Sequence, residues 1–488
     1  MNNRIPRQPN TFAKTEARKT TGKHIVLTTF GSLGDLYPYI AIALKLQARG
    51  HRCVIATEER YRSKIEAQGL EFHPVRPNGL PDIEKDWEFF QHLMDCQRLI
   101  EYGICYLLMP HLRASYIDLM EAVQEADLLV THPLTFVGSL VAQKTGIPWI
   151  STVLVPSTFM SAYDNPNLST VRVWSKPVAV QEDKGDERDK GDKGDKGGKG
   201  DKEGFSSLLT TSDYTLNVPL SPWERALELV ASDTQMRRIR WQTRLWSAPI
   251  RQLRAELGLA PDSDPVFEGQ HSPHLVLALF SSVLGAAQPD WPPQTCITGF
   301  PLYNSHNGDT LSSKLIEFLQ AGSPPIVFTL GSTAVWTAGN FYQEGAAAAQ
   351  KLGYRAILLI GQGVPRSLES LPEGVMAVEY APHSELFKNA AAIVHHGGVG
   401  TTAQALRSGR PMLIVPHAYD QPDNAARLVR LGVARTIPRH HCTADRIATE
   451  LKYLLFDSKY AVRCAEVRDQ VRREDGVGTA CDAIEAYL

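Results

Sequence analysis

A chain of 488 residues, 43% of them hydrophobic, is too long for one ordinary core, so two domains of the α/β kind are expected. A formal net charge of −2 leaves no basic footprint for nucleic acid. No apolar run approaches the roughly 18 residues that a membrane span needs, so no transmembrane segment is expected, while peripheral membrane association stays open.

Residues 1–22 carry Arg4, Arg7, Lys14, Arg18 and Lys19 against Glu16, with no apolar stretch to serve as a signal-peptide core, and read as a disordered tail. The compact apolar run from His24 to Thr29 predicts a strand, and Gly31 and Gly34 predict a turn after it. Apolar spacing then predicts a helix from Tyr37 to Arg49, closed by Gly50, and Cys53 to Ala56 completes a β-α-β opening. Asp127 to Thr131 and Pro148 to Val155 add buried-strand runs, so residues 23–298 read as a doubly wound parallel sheet. The Gly31-x-x-Gly34 turn lacks three-glycine spacing, which argues against a nicotinamide dinucleotide. Trp87, Phe89, Phe90, Met94, Tyr102 and Tyr106 suit an apolar pocket, although such stripes more often belong to a core.

Residues 183–204 alternate charges with glycines and contain nothing apolar, so a disordered insertion is expected there. Residues 299–323 are the candidate linker, rich at their start in Gly, Pro, Asn and Ser. A second series then opens with a strand from Ile326 to Leu330 and the turn Gly331-Ser332-Thr333. A helical stretch to Leu352 and a strand from Ala356 to Ile360 follow, so residues 324–470 read as a second doubly wound domain. Ser332 and Thr333 suit phosphate or nucleoside contacts, or a plain loop cap. The seven cysteines form no Cys-x-x-Cys pair, which fits reduced thiols and a cytoplasmic location. His440-His441-Cys442 reads as a surface loop, and no metal site is expected.

Residues 391–421 carry the most chemistry. A short apolar run leads into His396-Gly397-Gly398-Val399-Gly400-Thr401, a helix ends at Gly409, a strand follows from Met412 to Val415, and Asp420-Gln421 lies just past it. Glycines let backbone N–H groups approach phosphate oxygens, and a helix start adds unpaired donors with partial positive charge.

This segment resembles the signature of UDP-dependent glycosyltransferases, and Asp290-Trp291-Pro292-Pro293 leading to Thr298-Gly299-Phe300 is similar to the linker entry of bacterial antibiotic and sterol-type members. The resemblance implies GT-B architecture, two facing Rossmann-like domains with the acceptor bound mainly by the first and the nucleotide sugar by the second. A final helix within residues 471–488 would return to the first domain. It implies that His396, Gly398, Gly400 and Thr401 grip a diphosphate, and that Asp420 and Gln421 hold sugar hydroxyls. Tyr380-Ala381-Pro382-His383 takes the place of a Trp-x-Pro-Gln motif, which gives Tyr380 the part of base-stacking ring and places His383 beside it. Gln404 stands where a Glu commonly bonds both ribose hydroxyls, though an amide accepts only at its carbonyl.

Asp35 occupies the catalytic position, held by His in plant members, and His132 occupies that of the plant Asp, so the pair is exchanged. The lone-residue reading of either is a helix cap or a loop residue. The activity implied is inverting transfer of a hexose, glucose from UDP-glucose first, to a hydroxyl of a small apolar acceptor. A UDP-sugar is then a co-substrate, with no cofactor and no metal, and Trp87, Phe90, Met94 and Tyr106 are the acceptor candidates. A nucleotide-sugar epimerase of the same architecture and a nucleotide-sugar-binding module without turnover remain the alternatives.

Overall fold

The structure, a computed structural model, describes residues 22–78, 99–164, 222–303, 310–332, 334–361 and 371–488. The tail at residues 1–21, the insertion at 183–204, the aromatic candidates Trp87, Phe89, Phe90 and Met94, and Thr333 lie outside these. The chain divides into two compact units, Met1–Arg172 with Thr243–Leu488, and Val173–Gln242. Both sheets belong to the first unit, and the helix Pro222–Thr243 represents the second.

Short runs of Val, Ile and Leu, apolar at consecutive positions, can satisfy both faces only inside a covered parallel sheet. Such runs form the central strands of the first sheet, whose seven strands are β1 (His24–Thr28), β2 (Arg52–Thr57), β3 (Glu71–Pro74), β4 (Leu128–Thr131), β5 (Trp149–Val153), β6 (Val276–Ala278) and β7 (Thr295–Ile297). Their order is β3-β2-β1-β4-β5-β6-β7, with every neighbour parallel. The second sheet holds β8 (Ile326–Thr329), β9 (Ala356–Leu359), β10 (Val375–Val378), β11 (Ala392–His395), β12 (Met412–Ile414) and β13 (Ala434–Thr436). Its order is β10-β9-β8-β11-β12-β13, again all parallel. In each sheet the winding reverses once, between β1 and β4 in the first and between β8 and β11 in the second. Open α/β sheets bind ligands outside the carboxyl ends of strands at such reversals.

The first helix spans Leu33–Ala48 and so begins before the expected Tyr37. Ser32 caps it and Asp35 returns a bond to the cap, which satisfies its first donors. Pro38 therefore lies inside the helix. The candidate linker contains a helix, Ser313–Gln320, capped by the Ser312 side chain.

A helix at Gly476–Tyr487 returns to the first sheet. Its Ala480, Cys481 and Ile484 share a buried cluster with Ile25, Leu27, Ile40 and Leu46. Arg49 Nη1 donates to Asp482 at 2.7 Å and to Glu485 at 2.6 Å across the same joint. Ile484 is fully buried there, and Ile484→Ala is expected to cost about 2–5 kcal/mol by denaturant titration. A loss within the noise would show that this helix adds little to the core of the first sheet.

Candidate active site

The carboxyl end of β1 runs into Gly31, whose φ of +130° places it where side chains are strained. A Cβ there would also meet Asp35 Oδ2 at 2.5 Å, so the turn can curl over the carboxylate only with glycine. Asp35 Oδ2 accepts from Ser32 N at 2.7 Å and from Ser32 Oγ at 3.0 Å. Its Oδ1 stands 3.4 Å from Nε2 of His132, which follows β4. Asp35 is therefore a helix-capping residue and a partner of His132 at once. The Asp35 side chain is 30% exposed and that of His132 only 4%, so the carboxylate is the member that a ligand can reach.

The histidine is fixed from behind. Its Nδ1 accepts from Leu134 N at 3.1 Å, which assigns the proton of the neutral ring to Nε2, facing Asp35. Tyr39 packs edge-on against the ring at 6.0 Å between centroids, and its hydroxyl lies 2.5 Å from Thr152 Oγ1. With Nδ1 engaged, the ring has no free lone pair for an incoming hydroxyl. Asp35 Oδ1 does.

The second sheet builds the opposite wall at its own reversal. His396, just past β11, is buried, and its ring lies against two residues without side chains. A Cβ on Gly331, which follows β8, would come within 2.7 Å of its Cε1, and one on Gly398 within 2.4 Å of its Nε2. Burial first, then the neighbouring histidines, hold His396 well below the usual imidazole range, so it is neutral and donates through one nitrogen. Its Nδ1, the Thr402 hydroxyl and the Gln404 carbonyl oxygen are buried and form no hydrogen bond with any described residue. Beneath it, His395 Nδ1 accepts from Gly397 N at 3.1 Å and stiffens the turn.

The helix Val399–Ser408 has Gly398 at its cap and no side-chain cap bond. Its first N–H groups thus keep their hydrogen-bonding capacity and the positive end of the helix dipole. Thr401 is buried in that first turn. Asn424 donates to Gly397 O at 2.9 Å and to Asp420 Oδ2 at 2.6 Å, which ties the glycine turn to the Asp420 segment. Gln421 Oε1 accepts from His417 N at 2.8 Å and Ala418 N at 2.9 Å, so this carbonyl is committed to its own loop and only the amide hydrogens remain for a ligand. Tyr419, before Asp420, has a φ of +55°, a strained conformation of the sort that concentrates at ligand sites.

The two walls approach each other. A Cβ on Gly400 would lie 3.8 Å from Gly34 Cα. Burial, then the charge of Asp35, push the Asp420 carboxyl up to about 7. The structure thus brings together Asp35, His132, His396, Gly398, Gly400 and Asp420. Ser332 lies in the turn after Gly331. Tyr380, past β10, is 66% exposed and so is not a core residue. His383 opens the helix His383–Leu386 and stacks on Phe387 at 4.4 Å, and burial lowers it to about 4. Tyr106 stacks on Tyr102 at 4.7 Å within the π-helical stretch Gly103–Leu108. Sequence reasoning missed Gly331 and Asn424. A glycine directly after a central strand was the available signal for the first, and nothing local marks the second. Among the described residues, no group of three or more His, Cys, Asp or Glu could hold a metal ion.

A partly exposed carboxylate at the end of one sheet, beside a glycine turn with uncapped N–H groups at the end of the other, suits a site where a hydroxyl meets a diphosphate. Residues 25–163 match the model of the glycosyltransferase family 28 N-terminal domain, and residues 347–475 that of the erythromycin biosynthesis protein CIII-like C-terminal domain. The O-mycaminosyltylonolide 6-deoxyallosyltransferase of Streptomyces fradiae is 30% identical over 477 residues, covering 95% of this chain and 97% of that protein. A sterol 3-beta-glucosyltransferase of Arabidopsis thaliana is 26% identical over 95% of this chain, which spans only 65% of the plant protein's length. The crystal structure of the kitacinnamycin glycosyltransferase superposes with a TM-score of 0.63 at 22% identity, covering 96% of this chain and 99% of that one, a likeness of fold. With both sheets, both reversals and these relatives in agreement, the chain belongs to the glycosyltransferases of GT-B architecture.

Proposed function

We propose that the protein is an inverting glycosyltransferase that moves a hexose, glucose from UDP-glucose in the first instance, onto a hydroxyl of a small apolar acceptor. The observation that carries this reading is the place of Asp35, next to Gly34 where Gly34 meets Gly400 of the glycine turn, and near enough for its charge to raise the Asp420 carboxyl. Asp35 Oδ1 takes the acceptor proton while the acceptor oxygen forms its bond to the anomeric carbon. On the opposite side the bond to the diphosphate breaks, and its electron pair leaves on a phosphate oxygen met by the helix N–H groups and His396. One displacement from the far side inverts the anomeric centre. The backbone donors and His396 take the charge-neutralising part, so the reading invokes no metal ion.

The relatives' names specify a mycaminosyltylonolide and a sterol as acceptors, which supports an apolar acceptor bearing a hydroxyl, whether phenolic, polyketide, sterol or lipid. Among the described residues no helix is long and apolar enough to cross a membrane, and a cytoplasmic location belongs to the same proposal. A donor and acceptor screen by mass spectrometry, with NMR of the anomeric proton, tests the reading. An inverted glycoside supports it, an altered sugar without acceptor product points to an epimerase, and binding alone points to a module without turnover.

The donor nucleotide turns on Gln404, whose buried carbonyl is a single acceptor where two ribose hydroxyls need two. Gln404→Glu is expected to raise affinity for UDP relative to dTDP by about threefold to tenfold in calorimetry. Equal changes for both would remove Gln404 from the ribose site.

A further inference from the structure

Glu58 follows β2 and takes no part in the chemistry above, yet its side chain is wholly buried. Its Oε1 accepts from Arg60 Nη2 at 2.8 Å, and the same Nη2 donates to Gly31 O at 2.8 Å. Tyr61 adds its hydroxyl to that carbonyl at 2.7 Å. The other oxygen of Glu58 makes no hydrogen bond with any described residue. A buried carboxyl with one oxygen unpaired is costly, and a turn needing only an acceptor could use an amide. The residue gripped is Gly31, the glycine that curls over Asp35.

We propose that Glu58 is a positioning residue for Asp35: through Arg60 it grips the Gly31 carbonyl and so sets where the carboxylate stands against the acceptor hydroxyl. The proposal rests on the reading of Asp35 as the proton acceptor. Burial pushes the Glu58 carboxyl up to about 7, against the opposing pull of Arg60, and the Asp35 charge adds to the rise. The charged and titratable groups facing it are Arg60 and Tyr61 on its own turn and Asp35 on the helix opposite. Protonation weakens the bond from Arg60 and lets that arm shift against the Gly31 carbonyl, so turnover falls as pH falls through about 7. The raised value means that the proton favours the buried carboxyl over a solvated one, so the turn shifts without opening. The Asp420 carboxyl is also raised to about 7, but under the proposed function it serves the donor sugar, so its protonation enters the donor KM.

The test uses Glu58→Ala and Glu58→Gln in the full chain. Glu58→Ala is expected to lower kcat about tenfold at unchanged nucleotide affinity, and to speed amide exchange across residues 30–35 in mass spectrometry. Glu58→Gln, which keeps an acceptor for Arg60 but cannot titrate, is expected to restore slow exchange and most of kcat while flattening the acid limb of its pH profile. Wild-type kcat and exchange in Glu58→Ala, or an unaltered acid limb in Glu58→Gln, overturns the proposal. Should Glu58→Ala fail to fold, Glu58→Gln and Arg60→Lys decide by the same two readouts. If the wild type transfers no sugar from any donor, the functional reading falls, and amide exchange alone still decides whether Glu58 holds the turn.

Discussion

Asp35→Asn is expected to lower kcat by about 10²-fold or more while leaving nucleotide affinity unchanged in calorimetry. The amide keeps an oxygen for Ser32 N, so the helix cap survives and proton acceptance is lost. Asp35→Ala removes both and should also lower stability, by about 1 kcal/mol. His132→Ala is expected to cost less than Asp35→Asn, because the Nδ1 lone pair is already occupied by Leu134 N and the ring orients the carboxylate without receiving the acceptor proton. The double variant should be little worse than Asp35→Asn alone, since the histidine acts through the aspartate. A more acidic phenol as acceptor should partly rescue Asp35→Asn, as it needs less help to lose its proton. Near wild-type turnover in Asp35→Asn would leave Asp35 as a helix cap.

The second large effect lies across the gap. His396→Ala is expected to weaken nucleoside diphosphate binding by about 10- to 100-fold and to lower kcat/KM in parallel, because the lost donor serves ground and transition states alike. Gly398→Ala should be at least as damaging without removing any donor, since its Cβ would sit 2.4 Å from His396 Nε2 and force the ring or the turn to move. Unchanged diphosphate affinity in both variants would take the turn out of the donor site. Affinity lost in Gly398→Ala alone would leave the backbone, and not the imidazole, as the binding element.

The central strands are legible because parallel strands covered on both faces leave unbroken apolar runs, and β1, β2, β8 and β9 fall on the runs expected of them, within a residue or so at each end. β6, β7 and β13 are only three residues long, too short for periodicity to register, and β12, equally short, is legible only because the glycine turn and helix before it mark its place. The early start of the first helix is written in Ser32 and Asp35, but Pro38 masks it, since proline normally marks a helix start and here lies well inside. In the site, glycine turns after central strands show where a ligand belongs. What the strand pattern does not hold is direction: the commitment of the Gln421 carbonyl to its own loop, the proton on His132 Nε2, and the burial of Glu58 within a charge-rich stretch. The first two are set by backbone N–H groups two to four residues away, at His417, Ala418 and Leu134, whose direction no pattern of residue types reports, and the third by Gly31, far off in sequence.

The joint between the Leu33–Ala48 and Gly476–Tyr487 helices also bears on how the protein is made. The Cys481 thiol meets the carbonyl of Ile42, 439 positions earlier. During synthesis β1 and its helix leave the ribosome long before Ala480, Cys481 and Ile484, which complete the cluster around Ile25 and Leu46. That apolar face thus stays open while the intervening chain is made, and aggregation competes with folding for that period.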